Sequence, residues 1–402
     1  MMIDTDPRKI QEFLIRGVER IYPGPNFLKR ELFSGRRMKA YCGYDPSTPT
    51  LHLGHIITLR KLAQFQKLGH EVIMLIGDFT GMIGDPTDKL AVRKKLTRAE
   101  VLANAKDYKK MASQFLEFQG KNPAKILYNS QWSDGLTFIK LMDLASNFTV
   151  QQMIVREMFQ ERIERKKPIY LHEFLYPLAQ AYDSVAMNVD LEIGGRDQIF
   201  NMLCGRHLTR ILKGKEKFVL ATKLLVDPTG KKMGKTEGGM VAVAENPIEM
   251  YGKIMSWPDN LIGLGFELLT NLSLREIRKI SQEIKRKTLN PRNAKSQLAK
   301  EIVTLCHSKK SAEIAEEEFN QIFKEKKLPT KIPGFQTKEE KLGIPDLLVK
   351  TKLARSKSEA KRLILQRGVK IDNKIIGDWR SVIKVKKGLI IQVGKRKFLK
   401  VV

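Results

Sequence analysis

Cysteine is scarce in this chain. There are three in 402 residues, Cys42, Cys204 and Cys306, and they show no paired spacing. Without a disulfide framework, reduced thiols in a cytosol are the expectation. Long apolar runs are also missing. The longest, Val72 to Ile76, is far short of the roughly 20 residues a spanning helix needs. The opening MMIDTDPRKIQEF carries acids and no hydrophobic segment of a secretory leader. A soluble cytoplasmic protein without a membrane partner is expected. Acidic residues are the next deficit: 44 against 73 Lys and Arg leave +29. Such an excess draws polyanions, nucleic acid first among them, and says nothing about fold. Metal-ligand spacings are lacking too. His52 and His55 lie three apart, but His70, His172, His207 and His307 fall at no ligand interval and no cysteine pair assists, so no metal site is expected.

What is present is an apolar fraction of 42%, enough for a sizeable core and two or three domains. Residues 8–33 read as helical, with Ile10, Phe13, Leu14 and Val18 on one face. RRMKAYCGYD reads as a strand ending at Asp45-Pro46, residues 53–68 as a helix, and EVIMLIG (71–77) as a buried parallel strand. Further strands are expected at 125–132, 189–195 and 218–226, separated by helical stretches. The alternation predicts an α/β fold, a doubly wound Rossmann-like parallel sheet binding its ligand at the carboxyl ends of the strands. After Pro247 the texture becomes amphipathic and charged, predicting an all-helical domain over 248–325. Residues 326–343 hold prolines and lysines and read as a linker. The last 59 residues, from Ile344, have 17 Lys and Arg against 4 acids, or +13. No internal repeat is visible.

Four stretches carry chemistry. LHLGH (51–55) places two imidazoles at a helix start, where free N–H groups and the positive dipole end favour phosphate. Gly54 removes a side chain there, so that a nucleotide can approach the backbone. GDFTGMIGDPTDK (77–89) follows a strand and offers Asp85 for an ammonium, with Lys89 and Arg93 for phosphates; a solvated turn would have the same composition. In LHEFLYPLAQAYDSVAM (171–187), Tyr176, Gln180 and Asp183 fall at i, i+4 and i+7, a polar stripe among apolar neighbours. DPTGKKMGKTEGGM (227–240) is a flexible connection or a mobile loop whose Lys232 and Lys235 neutralise a departing pyrophosphate.

In their order, YCGYDP, LHLGH, GDFTGMIGDP, EFLYPLAQAYD, GGRDQ and KMGKT resemble the signatures of class I aminoacyl-tRNA synthetases, most closely the bacterial tyrosyl-tRNA synthetase family. ARSKSEAKRLILQRGVKIDNKII resembles the S4 RNA-binding module, a small α+β domain. The resemblance covers nearly the whole chain. It implies activation of L-tyrosine by ATP to tyrosyl-adenylate and pyrophosphate, then transfer to the 3′-terminal ribose of tRNA(Tyr). Mg²⁺ would be carried in with ATP. Tyr41 and Asp183 would face the phenolic hydroxyl of tyrosine, and Tyr176, Gln180 and Asp85 its ammonium. Cys42, Asp197 and Gln198 would sit near the ribose and the reacting carboxylate and phosphate. His52, His55 and Thr58 would line the ATP phosphates and ribose, and Lys89, Arg93, Lys232, Lys235 and Thr236 the leaving pyrophosphate. Residues 1–247 would form the catalytic domain, with a dimerisation insert around 120–160 that makes a homodimer. Residues 248–325 would bind the anticodon, and 344–402 would hold RNA through Lys352, Arg355, Lys357, Lys361 and Arg362.

Two positions depart from the family pattern. Arg196 stands where many relatives have a small hydroxyl residue, and KMGKT replaces the serines of KMSKS. A tryptophanyl enzyme would share both signatures but would have no use for Tyr41 beside Asp183. A non-catalytic RNA-binding relative would not need HLGH and KMGKT intact, and a small-molecule nucleotidyltransferase would not need the basic tail.

Overall fold

The computed structural model describes residues 2–85, 96–226, 240–323, 332–337, 339–394 and 397–402. They fall into two compact units, one of residues 1–245 with 257–306 and one of 246–256 with 307–402.

The first unit is built on a six-stranded sheet: β1 (Val18–Tyr22), β2 (Lys39–Tyr44), β3 (Glu71–Ile76), β4 (Lys125–Tyr128), β5 (Leu191–Gly195) and β6 (Phe218–Thr222). Their spatial order is β1-β6-β5-β2-β3-β4. All neighbours are parallel except β1, which runs antiparallel to β6. The chain moves outward from β2 through β3 to β4 and then returns to the other flank of β2 to lay down β5. The carboxyl ends of β2 and β5 therefore diverge, which opens a crevice at the switch point. Covered on both faces, β3 and β6 are almost wholly buried along their length, as their unbroken apolar runs require.

The opening stretch differs from its sequence reading. Residues 8–33 are not one helical segment: helices Pro7–Ile15 and Pro25–Phe33 flank β1. Arg16 leaves helical geometry at ψ 118, and VERIY then pairs with β6. The strand is short and two of its five residues are exposed charges, so periodicity could not separate it from a helical face. The 125–132 and 218–226 strands end earlier than their apolar patterns, at Tyr128 and Thr222.

Arg16 does further work. Its guanidinium donates to the carbonyls of Phe266, Glu267, Thr270 and Leu272. These surround the end of the helix Ile262–Leu269, where orphan carbonyls and the negative dipole end favour a cation. Arg60 adds a bond of 2.6 Å to the Thr270 carbonyl.

The 248–325 region is helical in its described residues, with helices Pro247–Met255, Ile262–Leu269, Leu274–Lys285, Pro291–Cys306 and Lys309–Phe323. The second unit contains the first and last of these, with Tyr251 and Phe319 ring centroids 5.4 Å apart. Beyond them, β9 (Val369–Ile371), β10 (Lys374–Ile375), β12 (Ile390–Val393) and β13 (Lys397–Val401) form a sheet with β7 (Gly334–Phe335), while β11 (Val382–Lys384) pairs with β8 (Lys341–Gly343). Helices Ile344–Lys350 and Lys357–Leu365 pack on a core that includes Leu347, Leu348, Ile364, Val369 and Ile391. Two short strands, β7 and β8, thus lie inside the stretch read as a linker. No described helix is long and apolar enough to cross a membrane.

Candidate active site

A crevice opens at the switch point, with about 1350 Å³ of space including its open mouth. Its wall is made by the ends of β2, β3, β5 and β6 and by the helices Leu53–Lys67 and Leu171–Met187. Of the residues singled out from sequence, Tyr41, Cys42, His52, Gly54, His55, Thr58, Asp85, Tyr176, Gln180, Asp183, Asp197 and Gln198 all line it. Lys89, Arg93, Lys232, Lys235 and Thr236 lie outside the described residues.

His52 is the N-cap of the helix Leu53–Lys67. Its Nδ1 accepts from the Gly54 N–H at 3.1 Å, and the His55 Nδ1 accepts from the His52 N–H at 3.2 Å. This is a capping box made of two imidazoles. The rings stack, with centroids 3.7 Å apart and planes inclined 19°. Because each Nδ1 acts as acceptor, the proton of each neutral ring sits on Nε2. Gly54 also has a steric role within the protein. A Cβ there would meet the His52 ring at 2.9 Å, so the glycine makes space for the imidazole. Thr58, one turn on, bonds the Tyr44 hydroxyl at 3.0 Å. Burial pushes the Cys42 thiol up to about 11, so it faces the pocket as a neutral group.

The polar stripe of the helix Leu171–Met187 faces a second row of polar groups that the sequence did not mark. Asp183 accepts from the Trp132 indole N–H at 2.7 Å and from Asn129 at 3.3 Å. Asn129 also donates to the Thr80 hydroxyl, which donates to Asp45 at 2.7 Å. Asp45 in turn accepts from the Tyr176 hydroxyl at 2.8 Å. Gln180 donates to Glu192 at 2.9 Å, and Gln198 donates to Asp85 at 2.6 Å. The Tyr41 hydroxyl meets Ser184 at 3.0 Å. Burial raises Asp183 well above the usual carboxylate range, opposed by the Trp132 and Asn129 bonds. Tyr41 and Tyr176 are raised by burial first and by neighbouring carboxylates second, so both hydroxyls keep their protons.

Asp45, Asn129, Trp132 and Glu192 were the residues missed. Asp45 read as a turn residue before a proline. Glu192 had a legible signal: a lone acid inside the apolar strand LEIGG, which is wholly buried up to its last residue. Arg196 lies outside this network, 3.8 Å from Glu19 with both side chains over a third exposed.

Leu224 and Leu225 line the crevice before residue 227. After residue 239 the chain returns to the histidine helix: the Leu53 N–H bonds the Val241 carbonyl and the Val243 N–H the Leu51 carbonyl, at 3.1 and 2.8 Å.

In the second unit Lys352, Arg355, Lys357 and Arg362 are exposed around the helix Lys357–Leu365. Lys357 pairs with Asp346 at 2.6 Å. Lys361 is half-buried, its ammonium 3.8 Å from the centre of the Trp379 ring.

Comparison with known proteins places the chain in a family. Residues 34–324 match the family "tRNA synthetases class I (W and Y)", and residues 318–401 match "Tyrosine--tRNA ligase SYY-like C-terminal domain". The chain is 43% identical to the tyrosine--tRNA ligase of Moorella thermoacetica over 96% of this chain and 94% of that one. It is 41% identical to that of Thermotoga maritima, over 98% of each. Among solved structures, the tyrosyl-tRNA synthetase of Archaeoglobus fulgidus, complexed with L-tyrosine, aligns with TM-score 0.62 at 22% identity, over 77% of this chain and all of that one. A truncated mitochondrial tyrosyl-tRNA synthetase of Aspergillus nidulans aligns with TM-score 0.64 at 22% identity, over 78% of this chain and 94% of that one; both likenesses are of fold.

Proposed function

The chain belongs to the class I tyrosine--tRNA ligases, which activate L-tyrosine with ATP and pass it to tRNA, and on that premise we propose how its residues share the work. The phenolic hydroxyl of tyrosine lies between Tyr41 and Asp183. One observation carries this reading: a protonated phenol and a carboxyl group, both buried, line the same crevice, a pair suited to a hydroxyl that donates and accepts. The ammonium lies against Tyr176, Gln180 and Asp85. Tyr176 spends its proton on Asp45 and Gln180 its amide on Glu192, so each presents an oxygen to a cation.

The tyrosine carboxylate attacks the α-phosphorus of ATP, so the chain needs no nucleophile of its own. Asp197 and Gln198 flank the ribose and the reacting groups, with Cys42 and Thr58 beside the nucleotide. The Nε2–H groups of His52 and His55 donate to phosphate oxygens as charge gathers on them. Lys89, Arg93, Lys232, Lys235 and Thr236 receive the pyrophosphate, which suits segments 86–95 and 227–239 whose described neighbours border the crevice. Mg²⁺ accompanies ATP and neutralises phosphate charge. It is held chiefly by the phosphate oxygens of the nucleotide, as suits a hard cation that keeps several of its waters.

The tyrosyl enzymes are themselves the known instance of rejecting phenylalanine through unpaired buried polar groups. Tyr41→Phe should lower the ratio of kcat/KM for tyrosine over phenylalanine in ATP–pyrophosphate exchange by about tenfold, one neutral hydrogen bond's worth. An unchanged ratio would remove Tyr41 from the phenol site.

Residues 1–247 act as the catalytic domain in the cytoplasm, 248–325 approach the anticodon, and the basic module from 344 holds tRNA(Tyr) through Lys352, Arg355, Lys357, Lys361 and Arg362. The insert around 120–160 joins two copies. Phe138, Ile139 and Val150 are 76%, 73% and 69% exposed there, an apolar face unusual for a surface left in water. Light scattering at micromolar protein should give twice the chain mass, and Phe138→Glu with Ile139→Glu should shift it to the single mass. A monomer in the unaltered protein would end the dimer reading.

A further inference from the structure

Beneath the tyrosine pocket lies a buried cation that the reading above does not use. Lys217, the residue before β6, is 0% exposed. Its ammonium donates to Ser184 Oγ at 2.8 Å, to the Met202 carbonyl at 3.2 Å and to Glu192 Oε2. Three protons thus have three acceptors. The same ammonium lies 5.9 Å from the centre of the Tyr41 ring. Gly205 makes the space: a Cβ there would stand 2.5 Å from Lys217 Nζ and 2.8 Å from Ser184 Oγ. Burial pulls the lysine down from its ordinary range and the Glu192 carboxylate opposes this; the ion pair with Glu192 and the three acceptors around Nζ are the surroundings of an ammonium.

We infer that Lys217 is a positioning residue that sets the direction of the hydrogen-bond chain ending at the tyrosine hydroxyl. An ammonium can only donate, so Ser184 Oγ must accept from it. The serine proton then has two possible destinations, Tyr41 Oη at 3.0 Å or Glu192 Oε2 at 3.4 Å. The Tyr41 contact is the shorter of the two, so the serine donates to Tyr41. The Tyr41 proton is then left for a phenol oxygen bound in the pocket, in competition with Glu192, which also lies within hydrogen-bond reach of that hydroxyl. Tyr41 meets the substrate as a donor while Asp183 meets it as an acceptor, the complementary pair that a phenol requires. Without the ammonium, Ser184 can accept from Tyr41, and the substrate oxygen then faces lone pairs on both sides.

The inference rests on the placement of Tyr41 at the phenol, and the readout is again the tyrosine-to-phenylalanine ratio of kcat/KM in ATP–pyrophosphate exchange. Effects at the ammonium end, through Gln180 and Glu192, act on both amino acids and cancel in that ratio. Replacing a buried ion pair by apolar residues of similar volume is commonly tolerated, so Lys217→Met with Glu192→Met is the first variant. Its ratio should fall about tenfold, chiefly through the KM for tyrosine. Lys217→Met with Glu192→Gln places an amide near Ser184 that can donate in the ammonium's stead, and should recover at least half of that loss on a logarithmic scale. Lys217→Met alone gives the same reading should the apolar pair not fold, as judged by circular dichroism. A wild-type ratio in either folded variant lacking the donor, or an equal loss with and without the glutamine, overturns the inference. If Tyr41→Phe itself leaves the ratio unchanged, the placement of the phenol has failed instead.

Discussion

Replacing His55 by alanine should slow tyrosyl-adenylate formation about 100-fold while tyrosine affinity changes less than about twofold, as for a donor that acts on charge appearing only in the transition state. Single-turnover pyrophosphate release and equilibrium tyrosine binding read the two quantities separately. The structure raises a rival cause, because the His55 Nδ1 also completes the cap of the helix Leu53–Lys67. A lost cap costs about 1 kcal/mol of stability. His55→Asn separates the two: its side-chain oxygen can take the His52 N–H, but its amide cannot reach where Nε2 stood. If the asparagine variant recovered the rate, the histidine would be a cap and nothing more. A rate that stays low in both, with normal melting in the asparagine variant, assigns the histidine to the phosphates.

A chain ending at residue 331 should still form tyrosyl-adenylate at close to the full rate yet lose charging of tRNA(Tyr) by about 100-fold or more. The cut removes one whole hydrophobic core, that of Ile344, Leu347, Ile364 and Ile391, and leaves every described crevice residue in place. The removed module carries a large share of the +29 charge, so the affinity of the intact chain for tRNA should drop about tenfold or more between 50 and 200 mM salt. Filter binding across that range and aminoacylation by the shortened chain are the measurements. Full charging by the shortened chain would place the tRNA anchor elsewhere.

The crevice was legible where chemistry sits in consecutive residues. LHLGH names both imidazoles and the glycine between them, and the helical spacing of Tyr176, Gln180 and Asp183 announces one face. The illegible part depends on long-range placement. Asn129 and Trp132 matter because β4 is hydrogen-bonded beside β3, which brings both to Asp183. Lys217 matters because β6 runs beside β5, placing it next to Glu192. In sequence it is one lysine among many in a basic chain. The strand β1 escaped notice for the opposite reason, since its local pattern gives no cue and only the open edge of β6 demands it. Gly54 shows a third case: its identity was noticed, but the room it leaves for the His52 ring shows only in the fold.

The four carbonyls held by Arg16 also constrain how the protein can be handled. A peptide tag placed ahead of Asp4 leaves them covered, whereas shortening the chain to begin at Val18 would strip a helix end more than 240 residues away in sequence of the cation that closes it. The opening residues therefore serve as a clasp on the fold. A crystallisation variant trimmed there should be recovered poorly from the soluble fraction, even though every residue of the crevice remains in it.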